Sequence, residues 1–245
     1  MNERRLRVIL LGILIIFGAF AAVAQAAPEG ITGFAQVSSE RKTPAVPQNI
    51  TAQGGNITRI NITTNTQTGS WQGFAGNITG NIVLDDASGD RFFSWDLFNV
   101  SGEIYASRNS TLNFNKIYPT TNCSVDQLLT GISSDRVNRT FIQNFNTRNF
   151  SVGTIVINSS TSCTVRPYIN SSNQTSTSLF ENIILNAETD NETRFNVTIN
   201  NTIYTGILQL DGTAGFDGQF YNFQLLVPVN KTALFNTYAF YAELD

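Results

Sequence analysis

The residues with the clearest chemical capability are asparagines that are followed, two positions later, by serine or threonine. Such Asn-x-Ser/Thr triplets, in which x is not proline, accept N-linked glycans in exported proteins. The chain contains sixteen triplets, which begin at Asn49, Asn56, Asn61, Asn77, Asn99, Asn109, Asn122, Asn138, Asn149, Asn158, Asn170, Asn173, Asn191, Asn196, Asn200 and Asn230. Those at Asn170 and Asn173 lie side by side in the stretch NSSNQTS, where two acceptors would thicken the sugar layer over one loop.

The triplets outnumber what the composition alone would produce. The sequence holds 28 Asn and 47 Ser plus Thr in 245 residues, so random placement gives about five triplets (28 × 47/245). The excess predicts an N-glycosylated exterior, on which sugar supplies the hydration that a charged-residue content of only 13% does not. The alternative is a β surface rich in Thr and Asn whose triplets are accidental. Asn122, beside Cys123, is an acceptor that we expect to be hindered.

The composition leaves little for catalysis, because the sequence has no histidine. Ser-His-Asp and Cys-His arrangements are thereby excluded, and so are most zinc and iron sites. The clustered carboxylates lie in the stretches DDASGD and DGTAGFDG, and they are Asp85, Asp86, Asp90, Asp211 and Asp217. Asp in such turns hydrogen-bonds its own backbone, so we expect no catalytic, cofactor-binding or metal-binding residues. A structural calcium ion at these turns and a two-carboxylate hydrolase are the alternatives.

The two tryptophans, Trp71 and Trp95, have rings that could stack on a sugar. Each lies in a stretch that alternates like a β-strand, and a Trp in such a strand more often fills the core. We therefore predict that both are core residues, with a sugar-binding role as the alternative.

The first 27 residues have the order of a secretory signal. Arg4, Arg5 and Arg7 form a basic start, residues 8–23 are apolar without a charge, and the tripeptide AQA at 24–26 has the small-x-small pattern of a cleavage site. We predict an exported protein. An uncleaved membrane anchor is the alternative, since residues 8–27 are also just long enough to span a bilayer.

The mature chain is mildly acidic. The full sequence has a net charge of −3, and residues 1–27 hold three Arg and one Glu, so their removal leaves −5 (−3 minus +2). Nucleic-acid binding needs a basic stripe, so we exclude nucleic acid as a partner. Contact with a membrane is expected only through the export signal.

The two cysteines of the sequence are Cys123 and Cys163. An even pair in an exported chain predicts a disulfide. The chain-entropy model credits such a bond with roughly 4 kcal/mol when it closes a loop of about 40 residues. Two buried free thiols are the alternative. A metal site is not expected, because two thiols need further ligands.

From Asn56 onward, β-prone runs alternate with clusters of Gly, Asp, Asn and Ser. Thr, Ile, Val, Phe and Tyr dominate these runs, as they do in strands. The runs are NITRINITT, SWQGFAG, NITGNIVL, RFFSWDLF, GEIYAS, FSVGTIVIN, CTVRPYI, SLFENIIL, TRFNVTI, NTIYTGILQL, QFYNFQLLV and NTYAFYAEL. Residues 124–129 alone look like a short helical turn. Roughly a dozen strands predict an all-β fold, an antiparallel β-sandwich that is jelly-roll-like or made of two packed sheets.

An isolated strand is predicted ahead of this body. Residues 30–39, GITGFAQVSS, alternate loosely, with Ile31, Ala35 and Val37 on one face, and the proline-bearing stretch ERKTPAVPQN that follows reads as a linker. The strand would pair either with the edge of a neighbouring subunit or with the sheet of its own chain. The predicted organisation is a signal peptide over 1–27, an N-terminal extension and linker over 28–48, and a β-sandwich domain over 49–245.

Two stretches of the chain resemble each other. Residues 78–85, ITGNIVLD, and 204–211, YTGILQLD, are each followed by a Gly/Asp turn and an aromatic strand, FFSW or FYNF. We interpret them as two equivalent hairpins, which either a duplication or independent convergence of hairpin chemistry would produce.

Residues 71–108 read WQGFAGNITGNIVLDDASGDRFFSWDLFNVSGEIYASR. This stretch resembles a family of secreted archaeal surface proteins with a similar Trp-Gln-Gly-Phe-x-Gly-Asn motif, then Ile-Val-Leu-x-Asp, a Trp and Gly-Glu-Ile/Val-Tyr-Ala. The resemblance implies an exported, β-rich protein of the archaeal envelope and offers no catalytic residues to carry over. More loosely, the layout resembles archaeal pilus subunits in which the free strand of one subunit completes the fold of the next (donor-strand complementation).

Together these features predict a structural subunit of an extracellular, N-glycosylated cell-surface filament that is assembled from copies of this chain by strand exchange. The alternative is a surface-layer-associated adhesin, or a module that binds calcium or carbohydrate. No enzymatic activity is expected, and no cofactor apart from the glycans.

We expect glycan at most of the sixteen acceptors, including at least one of Asn170 and Asn173. The mature protein from its native host should therefore be heavier than its polypeptide, because each occupied acceptor adds a sugar chain. Intact-mass spectrometry followed by glycopeptide mapping measures this. An intact mass equal to that of the bare mature chain would refute the prediction.

Overall fold

In the computed structural model, the residues described are 27–64, 66–96, 100–120, 123, 140–141, 148–158, 163–167, 179–187, 201–210, 212–229 and 236–244. Every complete element within these ranges is a β-strand, which confirms the predicted all-β class. The strands are β1 (Glu29–Gly30), β2 (Trp71–Gly76), β3 (Asn81–Asp85), β4 (Arg91–Asp96), β5 (Gly102–Ser107), β6 (Ile117–Pro119), β7 (Phe150–Val152), β8 (Ile155–Ile157), β9 (Thr164–Val165), β10 (Glu181–Ala187), β11 (Thr202–Ile207), β12 (Thr213–Ala214), β13 (Phe220–Tyr221), β14 (Phe223–Pro228) and β15 (Ala239–Leu244).

A seven-stranded antiparallel sheet forms the centre of the fold. Its order is β1–β15–β5–β11–β10–β6, and β9 also pairs with β10. β5, β10 and β11 are buried along their whole length. The remaining strands form antiparallel pairs: β2 with β14, β3 with β4, β7 with β8, and β12 with β13.

Alternate residues of the central sheet enter two hydrophobic cores, because successive side chains of a strand point to opposite faces. On one face, Tyr105, Ile183 and Ile203 pack with residues of the β7–β8 hairpin. On the other face, Ala106 and Ile184 pack with residues of β2 and β14. The fold is therefore an antiparallel β-sandwich, in which the β2–β14 sheet covers one face of the central sheet and the β7–β8 hairpin covers the other.

One buried side chain joins the central sheet to β14. The Nδ2 of Asn182 on β10 donates a hydrogen bond to the carbonyl oxygen of Gln224 at 2.7 Å, and its Oδ1 accepts one from the backbone N–H of Leu226 at 2.8 Å. Gly206 lies opposite Asn182 on β11. A Cβ at Gly206 would come within 3.2 Å of the Ile104 side chain and 3.4 Å of Asn182 Nδ2, so glycine leaves the space that the amide needs.

A second buried polar contact ties the opposite layer to the sheet. Glu243 on β15 accepts hydrogen bonds from the Tyr105 hydroxyl at 3.0 Å and from the backbone N–H of Gly153 at 2.8 Å. Because Gly153 lies in the turn between β7 and β8, the carboxylate fixes that hairpin. Gly102 on the neighbouring strand has a φ of 118°, and a Cβ there would collide with the carbonyl oxygen of Glu243.

The structure contains the predicted disulfide. Cys123 and Cys163 are bonded, with their Cα atoms 5.5 Å apart. The backbone N–H of Cys163 donates to the Thr120 carbonyl at 2.8 Å, and its carbonyl accepts from the N–H of Ile184 at 2.9 Å. The bond therefore lies along the outer edge of β10, at the point where β6 ends and β9 begins.

Most β-prone runs form strands at the predicted positions, including GEIYAS at β5, WQGFAG at β2 and AFYAEL at β15. The prediction of a strand in NITRINITT is wrong for the chain alone, because residues 56–64 form no strand and all are exposed. Its alternation is that of a strand, but no described element of the chain lies beside it. The predicted helical turn at 124–129 and the run TRFNVTI at 193–199 lie outside the described residues.

The interpretation of ITGNIVLD and YTGILQLD as equivalent hairpins is also wrong. The first stretch ends in β3, which pairs with β4 and is exposed at every residue. The second contains most of β11, which is fully buried between β5 and β10. The residues that the two stretches share favour a β-strand followed by a turn. This pattern occurs in a surface strand as well as in a central strand.

We expect Asn182→Ala to lower the free energy of unfolding by about 2 to 4 kcal/mol, because it leaves the carbonyl of Gln224 and the N–H of Leu226 without their partner. Asn81→Ala is the matched control, since Asn81 is exposed and also lies outside the glycan triplets; its effect should stay within about 0.5 kcal/mol. Urea titration of both variants measures the difference. Equal stabilities would contradict a role of the amide in holding β14.

Candidate assembly surface and glycan acceptors

A long exposed arm precedes the sandwich, and we define it as residues 31–64. Every residue of the arm is exposed. Both of its ends are anchored to the body. Before it, Pro28 is buried and β1 pairs with Tyr241 and Ala242 of β15; after it, the carbonyl of the buried Ser70 accepts a hydrogen bond from the N–H of Val229 at 2.8 Å.

The arm carries large apolar side chains that nothing described covers well. Their exposed fractions are Ile31 38%, Phe34 67%, Val37 96%, Val46 84%, Ile50 67%, Ile57 97%, Ile60 56% and Ile62 78%. Phe34 makes a ring contact with Phe240 of β15, with 6.0 Å between centroids. Contiguous exposed apolar surface on a soluble protein is typical of interaction sites, which makes the arm a candidate assembly surface.

The strand expected over residues 30–39 forms within the chain only at its start. Gly30 pairs with Tyr241 of the same chain, so β1 extends the chain's own sheet. Residues 31–39 make no strand pairing in the structure. For them, pairing with a neighbouring subunit stays a prediction.

An incompletely paired sheet edge lies where the arm leaves the body. β15 pairs along its whole length with β5 on one side. On the other side, Tyr241 and Ala242 pair with β1, and no other strand in the described part of the chain continues along that edge. Unpaired backbone groups on an edge strand are a template for a further strand.

A second uncovered surface lies on the β3–β4 hairpin. Ile82 is paired with Trp95, and Leu84 with Phe93. Directly paired residues share a face of the sheet, so these four side chains form one apolar surface, which we call the hairpin face. Their exposed fractions are 41% for Ile82, 50% for Leu84, 52% for Phe93 and 47% for Trp95. The rings of Phe93 and Trp95 lie 4.8 Å apart.

The two tryptophans have different environments. Trp71 is partly buried and packs against the core between the two sheets, with its ring 6.0 Å from that of Phe141, as predicted. The core position predicted for Trp95 is wrong, because this side chain lies on the exposed hairpin face. Alternation in a sequence indicates that a strand has an apolar face, but it does not indicate whether another element covers that face.

The hairpin and the arm carry opposite charge. Residues 81–96 contain four Asp and one Arg, which gives a net charge of −3. The arm contains Arg41, Lys42 and Arg59 against Glu40, which gives +2. Within the hairpin, Arg91 pairs with Asp85 at 3.1 Å, so most of its acidic groups keep their charge uncompensated.

The carboxylates considered for calcium act in turns. Asp86 accepts hydrogen bonds from the backbone N–H groups of Ser88 at 2.8 Å and Asp90 at 2.9 Å. Asp217 accepts one from the Tyr221 hydroxyl at 2.7 Å, which lowers the pKa of Asp217 and raises the pKa of Tyr221. Within the described ranges, no three potential metal-ligating residues cluster. Asp211 lies outside those ranges.

Seven glycan acceptors lie among the described residues. Asn109 is half-buried, and the other six are exposed, namely Asn49, Asn56, Asn61, Asn77, Asn149 and Asn158. In contrast, the buried asparagines Asn182, Asn186 and Asn201 do not begin a triplet. This separation is what a glycosylated surface requires. The remaining acceptors lie outside the described residues, namely Asn99, Asn122, Asn138, Asn170, Asn173, Asn191, Asn196, Asn200 and Asn230.

The local geometry of two acceptors suits attachment of a glycan. At Asn109, the Oδ1 accepts hydrogen bonds from the backbone N–H and the hydroxyl of Thr111, both at 2.9 Å. At Asn77, the Oδ1 accepts one from the backbone N–H of Asn222 at 2.9 Å. In each case the amide oxygen holds the side chain in place. At Asn77, Nδ2, the atom that would carry the sugar, also donates a hydrogen bond of 3.5 Å to the carbonyl of Phe220, which a glycan there would replace.

Sequence reasoning missed the Asn182 contact and the hairpin face. A partial signal for the hairpin face is present in the sequence, because Ile82 and Leu84 before the turn, and Phe93 and Trp95 after it, are each two residues apart. No such signal marks Asn182, whose role depends on a strand 42 residues away in sequence.

Within the described residues, no helix is both long and apolar enough to cross a membrane. Comparison of the chain with protein-family models, curated proteins and solved structures finds no match.

We expect trypsin to cleave the isolated chain first after Arg41, Lys42 and Arg59, because these residues are exposed and the arm has no strand pairing there. Arg108 is the internal control. It is half-buried, hydrogen-bonds Asn236 at 3.3 Å and lies over the Tyr238 ring, so it should resist cleavage. Timed digestion with mass spectrometry gives the order of cuts. Cleavage after Arg108 as fast as after Arg59 would contradict an exposed, unpaired arm.

Proposed function

We propose that this chain is a structural subunit of an extracellular, N-glycosylated cell-surface filament. Copies are joined when residues 31–39 of one arm add a strand to a sheet edge of the next copy. The observation that carries the proposal is the arm itself, which is fully exposed, bears large apolar side chains and makes no strand pairing beyond Gly30.

Addition to a sheet edge gives residues 31–39 the strand pairing and the apolar cover that they lack in the single chain. An edge strand offers unpaired backbone groups to an incoming extended segment, and alternate side chains of that segment enter pockets that fix its register. Ile31 and Val37 lie on one face of residues 31–39, so an extended conformation buries both together. The partly open edge of β15 is the acceptor nearest to the arm's origin.

The geometry of such a contact supports a polymer. The donor segment begins directly after β1, so the acceptor edge of the next copy lies close to β15, and residues 40–49 lead away from the donor over at most about 30 Å at roughly 3.3 Å per residue. The donor segment and the acceptor edge are different surfaces of the chain, so the contact is head-to-tail. Head-to-tail contacts that do not close into a ring propagate as filaments.

The surface chemistry supports an extracellular position. The described acceptors are exposed or half-buried, and the disulfide between Cys123 and Cys163 is of the kind that persists in oxidising compartments. A structural rather than an enzymatic role is part of the proposal, and the absence of histidine from the sequence supports it. The resemblance of residues 71–108 to secreted archaeal surface proteins implies the same location.

A carbohydrate-binding adhesin is the second candidate, and the exposed Trp95 beside Phe93 is the observation that favours it. Adjacent exposed aromatic rings can stack on a sugar. Negative-stain microscopy and glycan-array binding of the mature protein distinguish the candidates. Ordered filaments favour the subunit, and dispersed monomers that bind particular glycans favour the adhesin.

Deletion of residues 31–48 should abolish filaments and leave a soluble, folded protein, because β1 and the sandwich are retained while the donor is lost. The double substitution Ile31→Ser/Val37→Ser keeps the length of the arm and should also weaken assembly, since it removes the face that register depends on. Negative-stain microscopy reads assembly, and circular dichroism reads the fold. Filaments that persist without residues 31–48 would rule out this segment as the donor.

A further inference from the structure

The hairpin face is an apolar surface, about half exposed, that no further strand in the described part of the chain covers. Both faces of β3 are exposed, and β4 is nearly as open. A two-stranded hairpin is marginally stable by itself, and a third strand or a packed element is needed to stabilise it. In the described part of the chain, β3 and β4 pair with each other and with no further strand.

The arm contains a segment with the matching pattern, residues 56–64. In an extended conformation its even-numbered and odd-numbered residues occupy opposite faces. Ile60 and Ile62 then lie on one face, and Ile57, Arg59 and Asn61 lie on the other. The exposed fractions of the three isoleucines are 56% for Ile60, 78% for Ile62 and 97% for Ile57.

We propose that residues 56–64 of a second copy of this chain add a third strand to the β3–β4 hairpin. Ile60 and Ile62 extend the hairpin face and cover the edge of its aromatic pair. This contact is separate from the one made by residues 31–39, and it rests on the proposed function, in which copies associate through their arms.

Charge fixes which face of the strand meets which face of the hairpin. Asn81, Val83 and Asp85 share the face opposite the hairpin face, together with Asp96. With Ile60 and Ile62 on the apolar side, Arg59 lies on the side of Asp96, whereas Asp85 at the other end of the hairpin is already paired with Arg91. The net charges of +2 on the arm and −3 on residues 81–96 favour the same approach.

The segment holds two glycan acceptors, and Asn61, the one between the two buried isoleucines, agrees with this orientation. Asn56 has the parity of Ile60 but is the first residue of the segment, so a sugar there requires the strand pairing to begin after it. Asn61 has the same parity as Arg59, so its side chain lies on the polar face and a sugar there stays in water. The opposite orientation would direct the glycan at Asn61 into the apolar surface. Modification of this residue therefore permits one face of the segment to be buried and excludes the other.

The occupant is a second copy because the segment and the hairpin of one chain do not meet. Both are described, yet all of residues 56–64 are exposed and none of them pairs with β3 or β4. Thr64 is followed by a short connection to Ser70 and β2, which is itself paired with β14. Contact between copies needs no rearrangement of that connection.

Trp95 is a built-in reporter, since the sequence has two tryptophans and Trp71→Phe leaves Trp95 alone. The full mature chain with Trp71→Phe is measured by fluorescence emission and acrylamide quenching over a range of protein concentrations. We expect the emission of Trp95 to move to shorter wavelength and its quenching to fall as concentration rises. If Trp71→Phe disturbs the fold, oxidative footprinting of the unsubstituted chain reports the exposure of Trp95 by peptide mapping.

Two double substitutions make a matched pair. Ile60→Ser/Ile62→Ser should abolish the concentration dependence, and Val46→Ser/Ile50→Ser, in the same arm but outside the segment, should keep it. Neither pair removes a glycan triplet, because Ile62 and Ile50 each occupy the middle position of one. A Trp95 signal that is independent of concentration, or that shifts equally in both variants, overturns the inference. A saturable shift caused by soluble glycans instead of by concentration also overturns it, in favour of a sugar site.

The outcomes separate this contact from the proposed function. Filaments formed by the chain with Ile60 and Ile62 intact, in which Trp95 stays open to quenching, overturn the inference and leave the filament proposal intact. A concentration-dependent protection of Trp95 that requires Ile60 and Ile62, without filaments, supports the inference and counts against the filament proposal.

Discussion

The hydrogen bonds between Asn182 and β14 are the interaction on which the rest of the structure depends. They supply partners for two backbone groups of β14 that face away from β2, and they hold β14 over the central sheet. β2 is paired to β14 along six residues, and the arm enters the body at Ser70, immediately before β2. The place where the arm joins the sandwich is thus set by an amide on β10 and by the missing side chain of Gly206.

The sequence predicts the strands of the sandwich well, because β5, β10, β11 and β15 are runs in which propensity and burial agree. The disulfide is likewise predictable, since an exported chain with two cysteines has one pairing available within itself. Trp95 and residues 56–64 were predicted wrongly for a single reason. Alternation specifies that a segment has an apolar face, but the partner of that face is a property of the tertiary or quaternary structure.

The proposed glycosylation and the proposed strand exchange would place different demands on the same arm. Sugar at Asn49, Asn56 and Asn61 would keep the free arm hydrated, whereas assembly requires the isoleucines beside these acceptors to leave water. For Asn61 the two demands are compatible on an extended strand, because its side chain and those of the neighbouring isoleucines point to opposite faces. The body shows the same division, with Asn182, Asn186 and Asn201 buried outside the triplets and the described acceptors at the surface.

The arm is tethered at both ends, and this has a mechanical consequence. A pull on its middle is shared between β1, which is held by two residue pairs, and β2, which is held by six. The weaker attachment at β1 should peel first. The part of the arm between the pulled point and β2 then extends, by at most about 110 Å for all 34 residues at roughly 3.3 Å per residue, before force reaches the sandwich. Stretching is thereby taken up by extension of the arm, and during that extension the two cores and the sheet edge closed by the disulfide carry no load.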